Sequence, residues 1–215
     1  MKIRHWRLHA GVAAASLHPR WNYVVQHASF KAANGFAGSR LDDIAREGKI
    51  VRWKVAILTA SDQGSRGERE DTSAQVIREL VEEEIEGEIV DYRIVPDEMD
   101  EIMASLIEMC DYYRADLVFT TGGIGLGPRD VTPEATLKVI DREAPGIAEA
   151  MRITAMMKNR RAMLTRGVCG IRGKTLIVNL PGSPKGVHEN LAAVMDQLPH
   201  ALAALKGRAA DGFIE

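Results

Sequence analysis

Long apolar runs and closely spaced cysteines are both missing from this chain of 215 residues. No apolar run approaches the ~20 residues that a membrane helix needs, so we expect no membrane-spanning segment and no membrane partner. The two cysteines, Cys110 and Cys169, lie far apart and lack Cys-x-x-Cys spacing. This spacing argues against a zinc knuckle or a disulfide scaffold, and it favours a reducing compartment such as the cytoplasm.

Most of the chain carries more acidic than basic side chains. Residues 54–215 hold 27 acidic and 19 basic side chains, whereas residues 1–53 hold three acidic and nine basic ones. Nucleic acids require a broad positive face, so the acidic body argues against nucleic-acid binding. Residues 1–52 lack clear periodicity, and we interpret them as an irregular basic N-terminal extension. The catalytic domain is then expected at 53–208, followed by a short tail at 209–215.

From residue 53 onward, buried-strand patterns alternate with amphipathic helical patterns. This order predicts an α/β fold in which a mostly parallel central sheet lies between two helical layers, a three-layer αβα arrangement. The patterns predict strands at Lys54–Ala60, Glu88–Val95, Leu117–Thr121 and Lys174–Leu180, and helices at Thr72–Ile85, Asp97–Tyr113, Ile147–Lys158 and Pro184–Leu205. We expect Thr132 to cap a further helix and Pro199 to bend or split the last one.

A glycine-rich loop at Thr120–Asp130 is the strongest candidate for a ligand site. Its glycines allow positive φ angles and a close approach of backbone N–H groups to an anion such as phosphate. The loop lacks the Gly-Lys-Ser/Thr ending of a Walker A motif, and its glycine spacing differs from that of the Rossmann fingerprint. A glycine-rich turn alone is often only a tight connection, and Asp130 at its end favours a site.

Aspartates follow three of the predicted strands, at the sheet edge where ligands bind in parallel α/β proteins. A carboxylate beside a phosphate site suits a magnesium ligand, so Asp130 is a candidate to hold Mg²⁺. Local pattern equally allows Asp130 to be a cap or turn residue. It favours an N-cap for Asp97, and Asp62 could simply shape a turn.

Residues 150–188 contain no acidic side chain but eight basic ones. In an otherwise acidic body, this block predicts a local positive field for a polyphosphate. The alternative is a solvated helix face and hairpin that are basic without binding a ligand.

The loops taken together resemble the MogA/MoaB family. The resemblance runs in order through residues 53–207 and is specific, because several separate motifs match. These motifs are Ser61-Asp62, Val95–Glu98, Thr120–Thr136 and Asn179–Pro184.

The resemblance implies a fold with a central mostly parallel sheet, commonly assembled as a homotrimer. It also implies a reaction, the magnesium-dependent transfer of AMP from ATP to the terminal phosphate of molybdopterin, which gives adenylyl-molybdopterin and pyrophosphate. Asp97 and Asp130 match the two aspartates that the family associates with catalysis. The matching substrate-binding residues are Ser61, Asp62, Thr121, Gly122, Gly123, Gly125, Pro181, Gly182, Ser183 and Pro184.

Three other functions remain open. A non-catalytic molybdopterin-binding or scaffold protein has the same fold, because fold does not guarantee activity. A related molybdate insertase, to which an adenylyltransferase could hand its product, normally adds further domains, for which we expect no room here. An interaction protein could use the basic extension to contact an acidic partner.

Overall fold

The computed structural model describes residues 52–208, which form a six-stranded sheet covered by helices. The extension expected at residues 1–52 lies outside the described residues except for Arg52, and the tail expected at 209–215 lies outside them entirely. Within the described range, no helix has both the length and the apolar character needed to cross a membrane.

The sheet is mostly parallel, as predicted. Its strands are β1 Trp53–Ala60, β2 Gly87–Val95, β3 Leu117–Thr121, β4 Arg142–Glu143, β5 Cys169–Arg172 and β6 Thr175–Leu180. They lie in the order β2-β1-β3-β6-β5-β4, and the first four run parallel. The two strands that the patterns did not predict are short and antiparallel to their neighbours. Two to four residues are too few to show a hydrophobic period.

Seven α-helices connect or follow the strands in the described range. They are α1 Asp62–Ser65, α2 Thr72–Ile85, α3 Met99–Asp111, α4 Thr132–Val139, α5 Pro145–Lys158, α6 Pro184–Leu191 and α7 Leu198–Leu205. The long helix predicted from Pro184 is therefore split, and Pro199 lies in the first turn of α7, where its missing N–H is tolerated.

The predicted role of Thr132 as a helix cap is wrong. Val131 occupies the N-cap position of α4 and makes no side-chain hydrogen bond there. Thr132 is already helical, and its fully buried hydroxyl has no hydrogen-bond partner among residues 52–208.

Two apolar clusters cover the two faces of the sheet. Along β1, Val55 and Ile57 belong to one cluster, whereas Ala56 and Leu58 belong to the other. The helices α2, α5, α6 and α7 pack in the first cluster, and α3 and α4 pack in the second. This alternation confirms the three-layer arrangement, and it explains why the central strands β3 and β6 are buried throughout.

A buried asparagine fixes α4 against the central strands. The Asn179 side-chain amide donates to Thr120 Oγ1 at 2.9 Å and to Thr136 Oγ1 at 3.0 Å. Its Oδ1 accepts a hydrogen bond from the Val168 N–H at 3.2 Å. Because buried polar groups need partners, this network ties α4 to the carboxyl ends of β3 and β6.

Candidate active site

A cavity of about 200 Å³ opens at the edge of the sheet where the parallel strands end. Loops that follow β1, β2, β3 and β6 all contribute to its lining, as expected for a parallel α/β sheet. The structure brings together these predicted site residues in the lining: Ser61, Asp97, Thr121, Gly122, Gly123, Asp130 and Gly182. The other predicted residues, which belong to the same loops but do not line the cavity, are Asp62, Gly125, Pro181, Ser183 and Pro184.

Three of these loops meet at Gly122. This residue has a φ of 96°, and a Cβ added there would lie 2.3 Å from the Ala60 carbonyl oxygen. A Cβ on Gly182 would lie 3.2 Å from the Gly122 Cα. In addition, the Thr121 hydroxyl donates to the Pro181 carbonyl oxygen at 2.7 Å. The loops therefore touch backbone to backbone, an approach that only glycine permits at Gly122.

The next residue, Gly123, packs against the start of α4. Its φ is 63°, and a Cβ there would lie 2.4 Å from Thr132 Oγ1. The Thr132 N–H donates to the Gly123 carbonyl oxygen at 3.1 Å. The glycine loop is thereby held directly on the N-terminus of a helix, whose positive dipole end favours anions.

The Asp130 side chain both shapes the turn of the glycine loop and faces the cavity. Its Oδ2 accepts a hydrogen bond from the Gly127 N–H at 2.8 Å, so it shapes the turn, and it also lines the cavity. A Cβ on either Gly125 or Gly127 would come within 2.8 Å of the same oxygen. The loop thus wraps closely around this carboxylate.

Arg166 supports the same loop from outside the cavity. Its Nε donates to the Gly125 carbonyl oxygen at 2.6 Å, and its other nitrogens bind the Asp130 carbonyl oxygen and the Glu134 carboxylate. By binding loop carbonyl oxygens, Arg166 restrains the loop on the side away from the cavity. It helps to fix the Asp130 backbone.

The positive field expected from residues 150–188 is not found at the cavity. None of the basic side chains of this block lines it. Arg152 donates to the Thr165 and Gly167 carbonyl oxygens, and Arg172 pairs with Asp111. Arg152, Arg166 and Arg172 instead bind carbonyl oxygens and carboxylates of the fold. The local sequence does not reveal these contacts.

Asp62 and Asp97 are hydrogen-bonded to each other's backbone. The Asp62 N–H donates to Asp97 Oδ2 at 2.9 Å, and the Asp97 N–H donates to Asp62 Oδ1 at 3.1 Å. Asp97 is therefore not the N-cap that its pattern favoured, and Glu98 holds that position in α3.

The two carboxylates have opposite electrostatic surroundings. Burial raises the pKa of Asp97, and the neighbouring charge of Asp62 adds to this effect. The hydrogen bond from Arg129 lowers the pKa of Asp62, as does the N–H of Asp97. The Asp97 carboxylate is thus partly desolvated, whereas the Asp62 carboxylate is neutralised by an arginine.

One wall of the cavity was not predicted from the sequence. It comes from the segment that leads into α2, and its residues are Arg69, Glu70, Asp71, Thr72 and Ser73. Asp71 caps α2 by accepting from the Ala74 N–H at 3.0 Å, and the Ser73 hydroxyl donates to the Gly182 carbonyl oxygen at 3.0 Å. The aspartate directly before the predicted helix start was a cap signal that could have pointed to this wall.

The cavity lining is rich in carboxylates. Glu70, Asp71, Asp97 and Asp130 line it, whereas Arg69 is the one basic side chain in the lining among residues 52–208. Neither cysteine takes part, since both are buried, and burial raises the pKa of each thiol to about 12. The site therefore offers backbone donors and carboxylates and no thiolate nucleophile.

This fold and this site define an α/β protein with a cavity beside a glycine loop at the carboxyl edge of a mostly parallel sheet. Residues 56–200 match the model of a family described as a probable molybdopterin binding domain. The match covers most of the chain, and the chain belongs to this family.

Relatives of known name and structure agree with this assignment. The molybdopterin adenylyltransferase of Helicobacter pylori strain J99 is 46% identical over 154 residues, covering 71% of this chain and 88% of the relative. The structure of the molybdopterin biosynthesis enzyme MoaB from Thermus thermophilus is 50% identical, with a TM-score of 0.69, and covers 73% of this chain and 98% of that one. The tungsten cofactor synthesizing protein MoaB from Pyrococcus furiosus is 34% identical, with a TM-score of 0.66 and coverage of 74% and 99%.

We expect Gly123→Ala to lower the free energy of unfolding by more than Gly173→Ala. Both glycines have left-handed φ angles, of 63° and 56°, so each alanine costs about 1–2 kcal/mol of backbone strain. Only at Gly123 would the new methyl group also meet another atom, Thr132 Oγ1. Urea denaturation of both variants measures the difference, and equal losses would show that contact with Thr132 imposes no constraint.

Proposed function

We propose that this protein is a molybdopterin adenylyltransferase of molybdenum cofactor biosynthesis. It transfers AMP from ATP to the terminal phosphate of molybdopterin and releases pyrophosphate. The observation that carries this proposal is the convergence of Asp97, Asp130 and the Gly122-Gly123 backbone on one cavity. Relatives named molybdopterin adenylyltransferase at 39–46% identity support the same activity.

The chemistry requires alignment and charge neutralisation more than a strong base. An oxygen of the molybdopterin phosphate attacks the α-phosphorus of ATP, and the bond from that phosphorus to the bridging oxygen of the leaving pyrophosphate breaks. Since the attacking phosphate is already an anion, catalysis rests on holding the two phosphates in line. Backbone N–H groups of residues 123–125 would bind phosphate oxygens, whereas the Gly122 N–H already donates to the Leu180 carbonyl oxygen. The positive dipole end of α4 would favour the bound anion.

The two catalytic aspartates take different roles in this proposal. Asp97 is partly desolvated and held by the backbone of Asp62, which suits it to orient the pterin or the acceptor phosphate. Asp130 lies at the exit of the glycine loop, where it would face the phosphates of ATP. The loop residues Ser61, Thr121 and Gly182 complete the substrate-binding surface.

The lining fits a magnesium ion that arrives with ATP. Magnesium prefers one or two carboxylates together with phosphate oxygens, and Asp130 is the residue that would hold it. Within residues 52–208, no group of three or more histidine, cysteine or acidic side chains is arranged to bind a metal. An ion here would therefore take its remaining ligands from phosphate oxygens and water. When bound, it would neutralise charge on the polyphosphate.

Arg69 is the residue of this lining best suited to contact a phosphate directly. It is exposed at the cavity wall, and it makes no ion pair or hydrogen bond with any side chain between residues 52 and 208. Four carboxylates around the same space would repel a polyphosphate. An arginine that is free to bind offers the planar donors that phosphate oxygens accept.

We also propose that the protein is a cytoplasmic homotrimer that passes its product to a molybdate insertase. An exposed apolar patch supports self-association. It is formed by α5 and the following 3₁₀ turn, with Ile153 58% exposed, Met157 82%, and Met163 and Leu164 each 50%. Exposed apolar side chains gathered on adjoining elements are common at interaction surfaces.

Asp130→Asn is expected to reduce adenylyl transfer by at least about 100-fold, because it keeps the shape of the side chain while removing its charge. The measurement is the formation of adenylyl-molybdopterin from molybdopterin, ATP and magnesium. Asp196→Asn, an exposed substitution outside the cavity, is the control. Unchanged transfer in Asp130→Asn would refute the proposed role of Asp130.

The same assay on the wild type separates the proposed enzyme from the alternative function. Molybdopterin binding without adenylyl transfer by the wild type would support a non-catalytic binding or scaffold protein.

Arg69→Gln is expected to raise the KM for ATP about ten-fold, the effect of losing one charged hydrogen bond. The matched control is Arg66→Gln, three residues away, whose side chain pairs with Glu68 at 2.9 Å and does not line the cavity. Equilibrium binding of adenosine, which has no phosphate, should be the same in both variants. Equal losses for adenosine and ATP would contradict a phosphate contact.

Met157→Glu is expected to shift the full chain from trimer towards monomer, because a charge in a buried apolar interface is costly. Light scattering after size-exclusion chromatography measures the mass. Tyr112→Glu, at an aromatic side chain that is 76% exposed and lies outside this patch, should leave the trimer intact. A wild-type monomer, or a trimer that Met157→Glu does not affect, would contradict the proposed interface.

A further inference from the structure

Four charged side chains form a hydrogen-bonded cluster that we call the carboxylate clasp. Its members are Asp62, Asp97, Glu98 and Arg129. Arg129 binds Asp62 with two nitrogens, Nη2 to Oδ1 at 2.8 Å and Nε to Oδ2 at 3.2 Å. Its third nitrogen, Nη1, binds Glu98 Oε1 at 2.7 Å. Asp62 in turn exchanges two hydrogen bonds with Asp97, each from a backbone N–H to a carboxylate oxygen.

The clasp joins three separate loops. Asp62 follows β1, Asp97 and Glu98 follow β2, and Arg129 belongs to the loop after β3. These strands are neighbours in the sheet, so their loops are close, but the sheet alone does not fix the side chains. Arg129 also directly precedes Asp130 in the chain. The same guanidinium therefore links the loop of one proposed catalytic aspartate to the loops around the other.

Arg129 offsets a repulsion that the site would otherwise contain. Asp62 and Asp97 are both acidic and lie within hydrogen-bond distance of each other's backbone, and Asp130 lies nearby in the same site. Like charges held this close disfavour each other. A guanidinium in fork geometry binds both oxygens of Asp62 while it reaches Glu98, and a lysine ammonium cannot reproduce this.

We propose that Arg129 is a positioning residue for adenylyl transfer, which holds the Asp97 carboxylate in its reactive position through Asp62. The inference rests on the proposed function, because Asp97 is taken there as a catalytic residue. Arg129 does not line the cavity and is not required to touch substrate. It acts on the reaction by fixing the orientation of a side chain that does line it.

Because the clasp is largely exposed, its loss should affect activity more than it affects folding stability. The Arg129 side chain is 53% exposed, Glu98 56% and Asp62 33%. Ion pairs this exposed contribute little to folding stability. Loss of Arg129 should therefore leave the protein folded, while the position of Asp97 becomes less defined. A small misplacement of a catalytic group lowers kcat strongly and substrate binding weakly.

The first experiment compares Arg129→Gln and Arg129→Lys with the matched control Arg93→Gln. Arg93 also bridges two acids, Asp91 at 2.8 Å and Glu108 at 2.6 Å, but it does not line the cavity or contact its loops. We expect kcat to fall on the order of 10- to 100-fold in Arg129→Gln, with little change in the KM for ATP. Arg129→Lys should recover only part of the loss, and Arg93→Gln should keep wild-type kcat.

A double-mutant cycle tests whether Arg129 acts through Asp62. In the Asp62→Asn background, Arg129→Gln should cause little further loss of kcat, because the link to Asp97 is already weakened. Fully additive losses in kcat would overturn the proposal, and so would an unchanged kcat in Arg129→Gln.

Hydrogen–deuterium exchange provides a readout that does not depend on activity. The amides of Asp62 and Asp97 donate the two hydrogen bonds of the pair, so they should exchange faster in Arg129→Gln than in the wild type or Arg93→Gln. Unchanged exchange would overturn the clasp while leaving the proposed function standing. Absence of adenylyl transfer in the wild type would overturn the proposed function and, with it, the positioning role.

Discussion

The backbone contact at Gly122 determines where every other part of the site can lie. The loops after β1, β3 and β6 can share one cavity only if their main chains touch, and a Cβ on Gly122 would come within 2.3 Å of the Ala60 carbonyl oxygen. Parallel strands bring these loops to one edge of the sheet, and the absence of a side chain lets them close. Gly182 and the Thr121 hydroxyl then fix the third loop.

The distribution of charge follows from this close packing. Two arginines next to the cavity bind carbonyl oxygens and carboxylates: Arg166 restrains the glycine loop, and Arg129 joins Asp62 to Glu98. The cavity lining itself is left with four carboxylates and Arg69. Arg69 alone does not balance these carboxylates, so an anionic ligand would need further positive charge, which a magnesium ion that accompanies ATP would supply.

The sequence predicted those features that depend on local pattern. The central strands, the helix Thr72–Ile85 and the glycine loop with Asp130 were identified because burial period and backbone freedom depend on adjacent residues. The Asp62–Asp97 pair was not identified, because 35 residues separate its members and each carboxylate binds a backbone N–H group. The cavity wall at Arg69–Ser73 was also missed, because its position depends on how α2 packs against the loop after β6.

The proposed chemistry does not depend on the metal that the cofactor finally carries. It takes place at phosphorus, and the groups assigned to it would bind phosphate oxygens, a magnesium ion or, in the case of Asp97, the pterin or the acceptor phosphate. A metal later inserted at the pterin end is not among the atoms that Asp97, Asp130 or the glycine loop would touch. In agreement with this, structures named for molybdopterin biosynthesis and for tungsten cofactor synthesis both match the fold of this chain.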